Sequence, residues 1–362
     1  MVQKTIPAHG VADRVSDFRP LRGLCVVSTR SWGSAALHPR LYAFACSAGW
    51  ELVRRPTVNS RTIAFDRYPK IRSASETQPT MIVHLVDGTY ELFRHFYGIR
   101  RFKKTDPPFG AVVGVLNSVA KMIDAGATHV GVATDHIIES FRNKLWAQYK
   151  TGAGIERVLR AQFEPLEEAL SAMGVAVWAM VELEADDALA SAAHLAAEDT
   201  SVEKVCIWTP DKDLAQCVVA DRVVQIDGRR GVIRNAEGVR AKFGVEPGFI
   251  ADYLALVGDA ADGYPGIAGY GPKTAASLIN RYGPIEEFPL DLLRDKRELA
   301  LLFKNLATLR IDAPLFDDVE ELRWRGAKPE FRAVAQKLGD ERLAKRVAKL
   351  QQQLSEQDKA EA

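Results

Sequence analysis

Gly258-Asp259-Ala260-Ala261-Asp262-Gly263-Tyr264-Pro265-Gly266-Ile267-Ala268-Gly269-Tyr270-Gly271-Pro272-Lys273-Thr274 is the most informative stretch of this 362-residue chain. Two carboxylates, Asp259 and Asp262, stand directly before a glycine hairpin that opens a helix. The carboxylates suit a hard divalent metal. The hairpin, Gly266 to Gly271, offers backbone N–H groups at a helix N-terminus, which suits a phosphate. Metal ligands joined to a phosphate clamp imply a protein that cuts a nucleic-acid backbone.

Working outward, the chain from Met81 alternates strand and helix patterns, the mark of an α/β fold with a mainly parallel sheet. Strands are expected at 82–86, 129–134, 175–178, 204–209, 222–226 and 232–234. Helices are expected near 108–124, 155–172, 185–198 and 211–217. After Gly244 the strand patterns stop. Residues 247–310 predict short helices around the hairpin, and 330–353 a basic amphipathic helix.

Residues 1–80 differ: Arg and Lys outnumber Asp and Glu by 12 to 5, and no periodicity persists beyond a weakly apolar patch at 41–46. The segment reads as disordered, as an extension upstream of a true start at Met81, or as an Arg- and Ser-rich organelle transit peptide. The start at Met81 is the preferred reading, with a cytoplasmic, nucleoid-associated protein. A transit peptide would send it to an organelle.

Net charge is +1, with 47% apolar and 26% charged residues, as in an ordinary soluble globular protein. An acidic metal site that cancels basic binding surface reconciles this balance with nucleic acid. The cysteines, Cys25, Cys46, Cys206 and Cys217, form no CxxC pair. No apolar run reaches the length of a membrane span.

Nine acids fall at strand ends or helix starts. Asp87 ends the first strand and Asp135 the second. Glu184, Asp186 and Asp187 open a helix. Asp211 and Asp213 follow the strand ending in Trp208-Thr209, and Asp259 and Asp262 precede the hairpin. Singly, each reads as a helix cap or as a complement to a helix dipole. Together they converge, because the carboxyl ends of the strands in an open α/β sheet form one crevice. Crowded carboxylates need raised pKa values or bound cations. All-oxygen ligation without His or Cys selects Mg²⁺ or Mn²⁺ over Zn²⁺. Two such ions would activate a water and stabilise the leaving oxygen of a phosphodiester.

These residues resemble the 5′-nucleases, which include the 5′-nuclease domain of bacterial DNA polymerase I and the flap endonucleases. The likeness runs in order from Met81 to about Leu315. It is carried by Val86-Asp87-Gly88 with Arg94; by Asp135 with Ser140-Phe141-Arg142 and Tyr149-Lys150; by Glu184-Ala185-Asp186-Asp187; by Asp211-Lys212-Asp213-Leu214; and by the hairpin with Gly271-Pro272-Lys273-Thr274. The resemblance implies a PIN-like core over 81–245 with a helical arch near 150–173. An all-helical helix–hairpin–helix DNA-binding module over 246–315 and a helical tail over 316–362 would follow. It implies the nine acids as ligands of two Mg²⁺ ions, K⁺ as a further ion at the hairpin, and hydrolysis of DNA at a 5′ end or 5′ flap. A monomer is expected, with any polymerisation left to a separate DNA polymerase.

Lys150, Arg142 and Arg94 are the candidate catalytic cations. Lys150 is assigned to the scissile phosphate. Arg94 either supports substrate phosphate or pairs with a ligand acid. Tyr149 either stacks on a base or packs. Gly266, Gly269, Gly271, Lys273 and Thr274 are assigned to the DNA backbone. Gly269 and Gly271 are expected to adopt positive φ or to allow close approach. Two departures stand out. Ala153 occupies the position of a family Arg, for which Arg157 or Arg160 would substitute if one helix carried both Lys150 and Arg157. Gly263 replaces a common Asn, a change expected to matter less. A ribonuclease with a PIN-like core and a non-catalytic binder of DNA structures are the alternatives. A haloacid-dehalogenase-like phosphatase is more remote, since Thr89 stands where it needs a second Asp.

Overall fold

The computed structural model describes residues 81–100 and 107–361. The expectations for residues 1–80, including the 41–46 patch, Cys25 and Cys46, lie outside the described residues. Six strands, β1 (Met81–Asp87), β2 (His129–Asp135), β3 (Ala176–Met180), β4 (Val202–Trp208), β5 (Val223–Asp227) and β6 (Val232–Arg234), form one sheet. Its order is β3-β2-β1-β4-β5-β6, parallel except for β6 against β5. The order reverses at β1, so a crevice opens outside the carboxyl ends of β1, β2 and β4.

Apolar runs build this sheet because both its faces are covered. Val83, Leu85 and Val86 of β1 are all buried although they alternate sides. On one side lie α1 (Gly88–Arg100) and α2 (Gly110–Asp124); past the single turn α3 (Arg142–Leu145), whose residues are not part of that core, come the single turn α4 (Arg157–Arg160) and α5 (Phe163–Ala172). Val112, Val115, Leu116 and Val119 of α2 are fully buried there, each worth about 1.5–3 kcal/mol. On the other side α6 (Ala185–Glu198) presents Ala188, Leu189, Ala192, Ala193 and Ala196 to Val83, Leu85, Val205 and Ile207. Small side chains allow that helix to lie close to the sheet.

The helical module has its own core. The helix α7 (Ala236–Phe243) leads into it and packs on this core through Val239, and the module itself comprises α8 (Ile250–Val257), α9 (Pro272–Tyr282), the single turn α10 (Leu290–Leu293) and α11 (Arg297–Ala307). The last two helices, α12 (Phe331–Lys337) and α13 (Glu341–Glu361), return to the sheet. Phe331, Ala335, Leu338, Leu343, Val347 and Leu350 join the core of α2 and α5. Before them, Trp324 is pinned by its N–H to Thr128 O and its indole N–H to Met173 O, both at 2.8 Å.

Three helices differ from expectation. The 155–172 helix begins only at Arg157 and breaks at Ala161-Gln162. At the break, Gln162 turns inward and its Oε1 accepts from the N–H groups of Ala111 and Val112, at 3.2 and 3.4 Å. It thereby satisfies first-turn donors of α2 that the helix itself cannot. Residues 211–217 form a 3₁₀ turn over Asp213–Cys217. The 330–353 helix splits at Gly339, whose φ is 76°, and Asp340 Oδ1 caps α13 by accepting from Arg342 and Leu343 N–H at 3.0 Å.

Candidate metal centre

The crevice outside β1, β2 and β4 is lined by Asp87, Asp135, Asp186, Asp211, Asp259 and Asp262, together with Lys150 and Lys212. Asp87 ends β1, and its carboxylate accepts from Tyr90 N–H at 2.8 Å and the Thr209 hydroxyl at 3.0 Å. Asp135 ends β2 and accepts from Ala185 N–H, in the first turn of α6, at 2.8 Å. Its own N–H donates to Thr89 Oγ1 at 2.8 Å, so Thr89 supports the second strand end and is no acid substitute. Asp211 Oδ1 accepts from Asp213 N–H at 3.1 Å, which folds the Asp211-Lys212-Asp213 turn over the end of β4. Asp259 Oδ1 accepts from Ala261 N–H at 2.9 Å.

Asp213, Asp259 and Asp262 each offer an oxygen within 4.8 Å of the others. Asp213 Oδ1 is buried without a hydrogen-bond partner. An orphaned buried carboxylate oxygen inside an all-oxygen cluster fits a hard divalent cation.

The electrostatics agree. Burial, with Asp135 and Asp211 close by, pushes Asp87 up to about 7 against its two hydrogen bonds. Burial and then Asp211 and Asp87 hold Asp186 well above the carboxylate range. Burial and its three acidic neighbours do the same to Asp213. Burial raises Asp135, against the pull of Lys150. It also lifts Asp262 to about 6, against Lys150 and with Asp259. Carboxylates raised this far call for more positive charge than Lys150 and Lys212 supply.

Glu184 and Asp187 are the acids most fully compensated by buried cations. Glu184 Oε2 lies 2.7 Å from Lys150 Nζ, its Oε1 accepts from the Ser140 hydroxyl at 2.6 Å, and Arg142 stands 3.3 Å away. Burial alone would raise Glu184, but Lys150 and Arg142 outweigh it and bring it to about 2. Asp187 departs further from the ligand assignment. Both its oxygens are taken by Arg142, in a fork with both contacts at 2.7 Å. It also accepts from Glu184 N–H at 3.0 Å and Arg310 N–H at 2.9 Å. At 0% exposure Asp187 is a structural carboxylate and has no oxygen turned to the crevice.

The same geometry corrects the assignment of Arg142. Its guanidinium, 1% exposed, also donates to Leu306 O at 2.8 Å and Thr308 O at 3.1 Å. It ties α6 to the end of α11 and cannot reach a substrate. Arg94 pairs with Glu91, which is not among the nine acids, and contacts His95 at 2.8 Å. Tyr149, 2% exposed, packs in the helical-module core. Its hydroxyl points to Glu184 at 3.4 Å, and burial followed by Asp262 and Glu184 holds that phenol well above its usual range. Base stacking by Tyr149 is therefore excluded.

Lys150 stays in the crevice. Its Nζ contacts Glu184 at 2.7 Å and Asp262 at 3.3 Å. Burial opposes its charge, but Asp262 and Glu184 more than restore it. Arg157 is exposed on one-turn α4, beyond a non-helical stretch at 151–156, so no common helix carries it with Lys150. Lys212 was missed as a site residue. Its Nζ meets Asp259 Oδ2 at 2.7 Å, and its only sequence signal was a place between two acids.

The hairpin begins where Gly258 and Gly266 meet. A Cβ on Gly266 would lie 2.4 Å from Gly258 N, so no other residue fits without backbone movement. Gly269 has φ 98°. Gly271 has φ −81°, so it does not need the left-handed region, and the space around it is open. Lys273 and Thr274 are exposed in the first turn of α9. Gly263 matters more than expected. Its φ is 86°, and a Cβ would stand 2.2 Å from Gln148 O. The 146–150 segment is clamped there by Trp146 Nε1 to Gly263 O at 3.1 Å and Lys150 N to Asp262 O at 2.8 Å.

Comparison with known proteins agrees with this architecture. The family model described as "5'-3' exonuclease, N-terminal resolvase-like domain" matches residues 82–244, and "5'-3' exonuclease, C-terminal SAM fold" matches residues 245–330. The chain therefore belongs to the 5′-3′ exonuclease family. It is 31% identical to the 5'-3' exonuclease of Aquifex aeolicus over 287 residues, covering 76% of this chain and 98% of that one. It is 33% identical over 259 residues to DNA polymerase I of Pseudomonas aeruginosa, covering 66% of this chain but only 28% of the polymerase. The chain thus spans about a quarter of that relative. In fold it resembles the T5 5'-exonuclease solved with bound zinc, at a TM-score of 0.52 and 16% identity, over 76% of this chain and 98% of that one.

Proposed function

We propose that the protein is a divalent-metal-dependent 5′-nuclease that hydrolyses DNA phosphodiester bonds at 5′ ends or 5′ flaps. The observation that carries this reading is the convergence of six acids with Lys150 and Lys212 in one crevice beneath the hairpin. Asp87, Asp135, Asp186 and Asp211 on one side, and Asp213, Asp259 and Asp262 on the other, would hold two Mg²⁺ ions, with Glu184 reached through Lys150. The bound ions would lower the pKa of a water and stabilise charge on the phosphate. Glu184 and Asp262 keep the Lys150 ammonium charged and aimed into the crevice, where it stabilises the scissile phosphate. Lys212 restrains Asp259. The exposed N-terminus of α9, with Lys273 and Thr274, binds the duplex backbone without reading sequence, with K⁺ as a further ion there. A separate DNA polymerase acting on the same strand is the expected partner.

The test is cleavage of a labelled 5′-flap duplex, a nicked duplex and a single strand, each with Mg²⁺, with Ca²⁺ and with EDTA. Cleavage should need Mg²⁺, favour the flap or nick, and vanish in Asp186→Ala and Asp211→Ala while both variants still bind DNA in Ca²⁺. Turnover in EDTA, or near-normal turnover by either variant, would refute the reading.

A further inference from the structure

Strand β5 reads Val223-Val224-Gln225-Ile226-Asp227, and the amide in its middle is 0% exposed. Burying an amide is unfavourable unless its hydrogen-bonding groups find partners. Both ends of this one do. Gln225 Nε2 donates to the carbonyl of Asp211, and Gln225 Oε1 accepts from Arg234 Nη1. The partners dictate which way the amide faces. A carbonyl only accepts and a guanidinium only donates, so the NH₂ group must point to Asp211.

The register of the sheet brings the three residues together. Gln225 lies beside Ile207 of β4, the strand that leads to Asp211, and directly across from Arg234 of the edge strand β6. Beyond β4 the chain turns at once, and Asp211 lines the crevice. Among the described residues, three hydrogen bonds hold Asp211. Its N–H donates to Thr209 Oγ1 at 3.2 Å, and its Oδ1 accepts from Asp213 N–H at 3.1 Å. Those two are made within residues 209–213 and would travel with the turn. The third, from Gln225 to the carbonyl, reaches in from the neighbouring strand. It fixes the turn relative to the sheet whose strands end in Asp87 and Asp135.

We propose that Gln225, anchored by Arg234, is a positioning residue for the metal centre: its amide sets the Asp211 turn so that the Asp211 carboxylate meets a cation together with the acids ending β1 and β2. The inference rests on the metal-dependent reading above and adds to it a residue that is not itself a ligand. Gln225 and Arg234 lie outside every residue assigned from the sequence.

Gln225→Met keeps the length of the side chain and removes both bonds. Arg234→Met leaves the amide in place without its anchor, and Arg234→Lys restores a donor to it. Mn²⁺ binding to each DNA-free protein is measured by titration calorimetry, beside single-turnover cleavage of a 5′-flap duplex in Mg²⁺ and DNA affinity in EDTA. Gln225→Met should bind Mn²⁺ about tenfold more weakly and cleave about tenfold more slowly, as when a partner that orients metal ligands is lost. Its DNA affinity in EDTA should stay within about twofold of wild type, and Arg234→Met should lose about threefold in Mn²⁺ affinity, most of it regained in Arg234→Lys. Unchanged Mn²⁺ affinity in Gln225→Met overturns the proposal, since the amide would then serve the fold alone. So does an equal loss of DNA affinity in EDTA, where no metal takes part. If Gln225→Met does not fold, the edge-strand variants decide: Arg234→Met with wild-type Mn²⁺ affinity, or Arg234→Lys no better than Arg234→Met, overturns the proposal. Absence of Mn²⁺ binding by the wild-type protein would overturn the metal reading as well, whereas normal wild-type binding with unaltered variants overturns this inference alone.

Discussion

Replacing Arg142 by methionine separates an architectural arginine from one that touches substrate. The guanidinium forks onto Asp187 with two contacts at 2.7 Å, stands 3.3 Å from Glu184, and donates to Leu306 O and Thr308 O. Methionine keeps the volume of the aliphatic stem but removes every one of these bonds. Removing one partner of a buried ion pair costs about 3–5 kcal/mol, chiefly because the other charge stays buried. Asp187 retains two backbone donors, from Glu184 and Arg310, so the lower end, about 3 kcal/mol, is expected. For a chain of this size that is on the order of 6 °C in melting temperature. Urea unfolding followed by circular dichroism gives the number directly. The double variant Arg142→Met with Asp187→Asn should regain about 1–2 kcal/mol, because the stranded charge is gone. A loss under about 1 kcal/mol, combined with a steep fall in DNA affinity in Ca²⁺, would show that Arg142 reaches the substrate and that the structural assignment is mistaken.

Lys150→Ala should slow single-turnover cleavage by about 10²-fold while DNA affinity in Ca²⁺ changes only a few-fold; equal losses in both would make Lys150 a binding residue. Gly263→Asn should destabilise the fold by about 2 kcal/mol, since its Cβ would press on Gln148 O at 2.2 Å, and a neutral thermal melt would count against the clamp. His84, whose ring accepts from Trp208 Nε1 at 3.0 Å, is held by burial, then His129, at about 4 in place of 6.5. The unfolded chain therefore takes the proton first as pH falls. The stability tied to neutral His84 is complete above pH 6.5 and drains away towards pH 4, by at most about 3 kcal/mol. His84→Asn keeps an acceptor for Trp208 and should flatten this component of the stability difference between pH 7.5 and 5; parallel pH profiles for variant and wild type would contradict it.

The central strands were legible because strands buried on both faces show as short apolar runs between turn signals, as in β1, β2, β4 and β5; the more exposed edge strands β3 and β6 were marked by their position between turns. The acids were legible because a strand end and a helix start each leave a mark in sequence. Pairings made across long sequence separations were not. Nothing near Asp187 announces that Arg142 will occupy both its oxygens, and nothing near Gln162 announces that its amide will cap α2 and break a helical pattern. Tyr149 looked available because a tyrosine beside a lysine says nothing of the core that closes over it. Gly263 looked incidental because its constraint comes from the carbonyl of Gln148, more than a hundred residues earlier.

The return of α12 and α13 to the sheet has a consequence for how the molecule is made. The residues matched by the family models end at 330, yet Phe331, Leu338, Leu343, Val347 and Leu350 complete the apolar layer over α2 and α5. On the ribosome, the first layer to emerge is finished by side chains translated after the whole helical module. Until they arrive, α2 and α5 present an uncovered greasy strip to solvent or to a chaperone. Ribosome stalling late in the message would therefore yield chains prone to aggregate, even with every acid of the metal centre already in place.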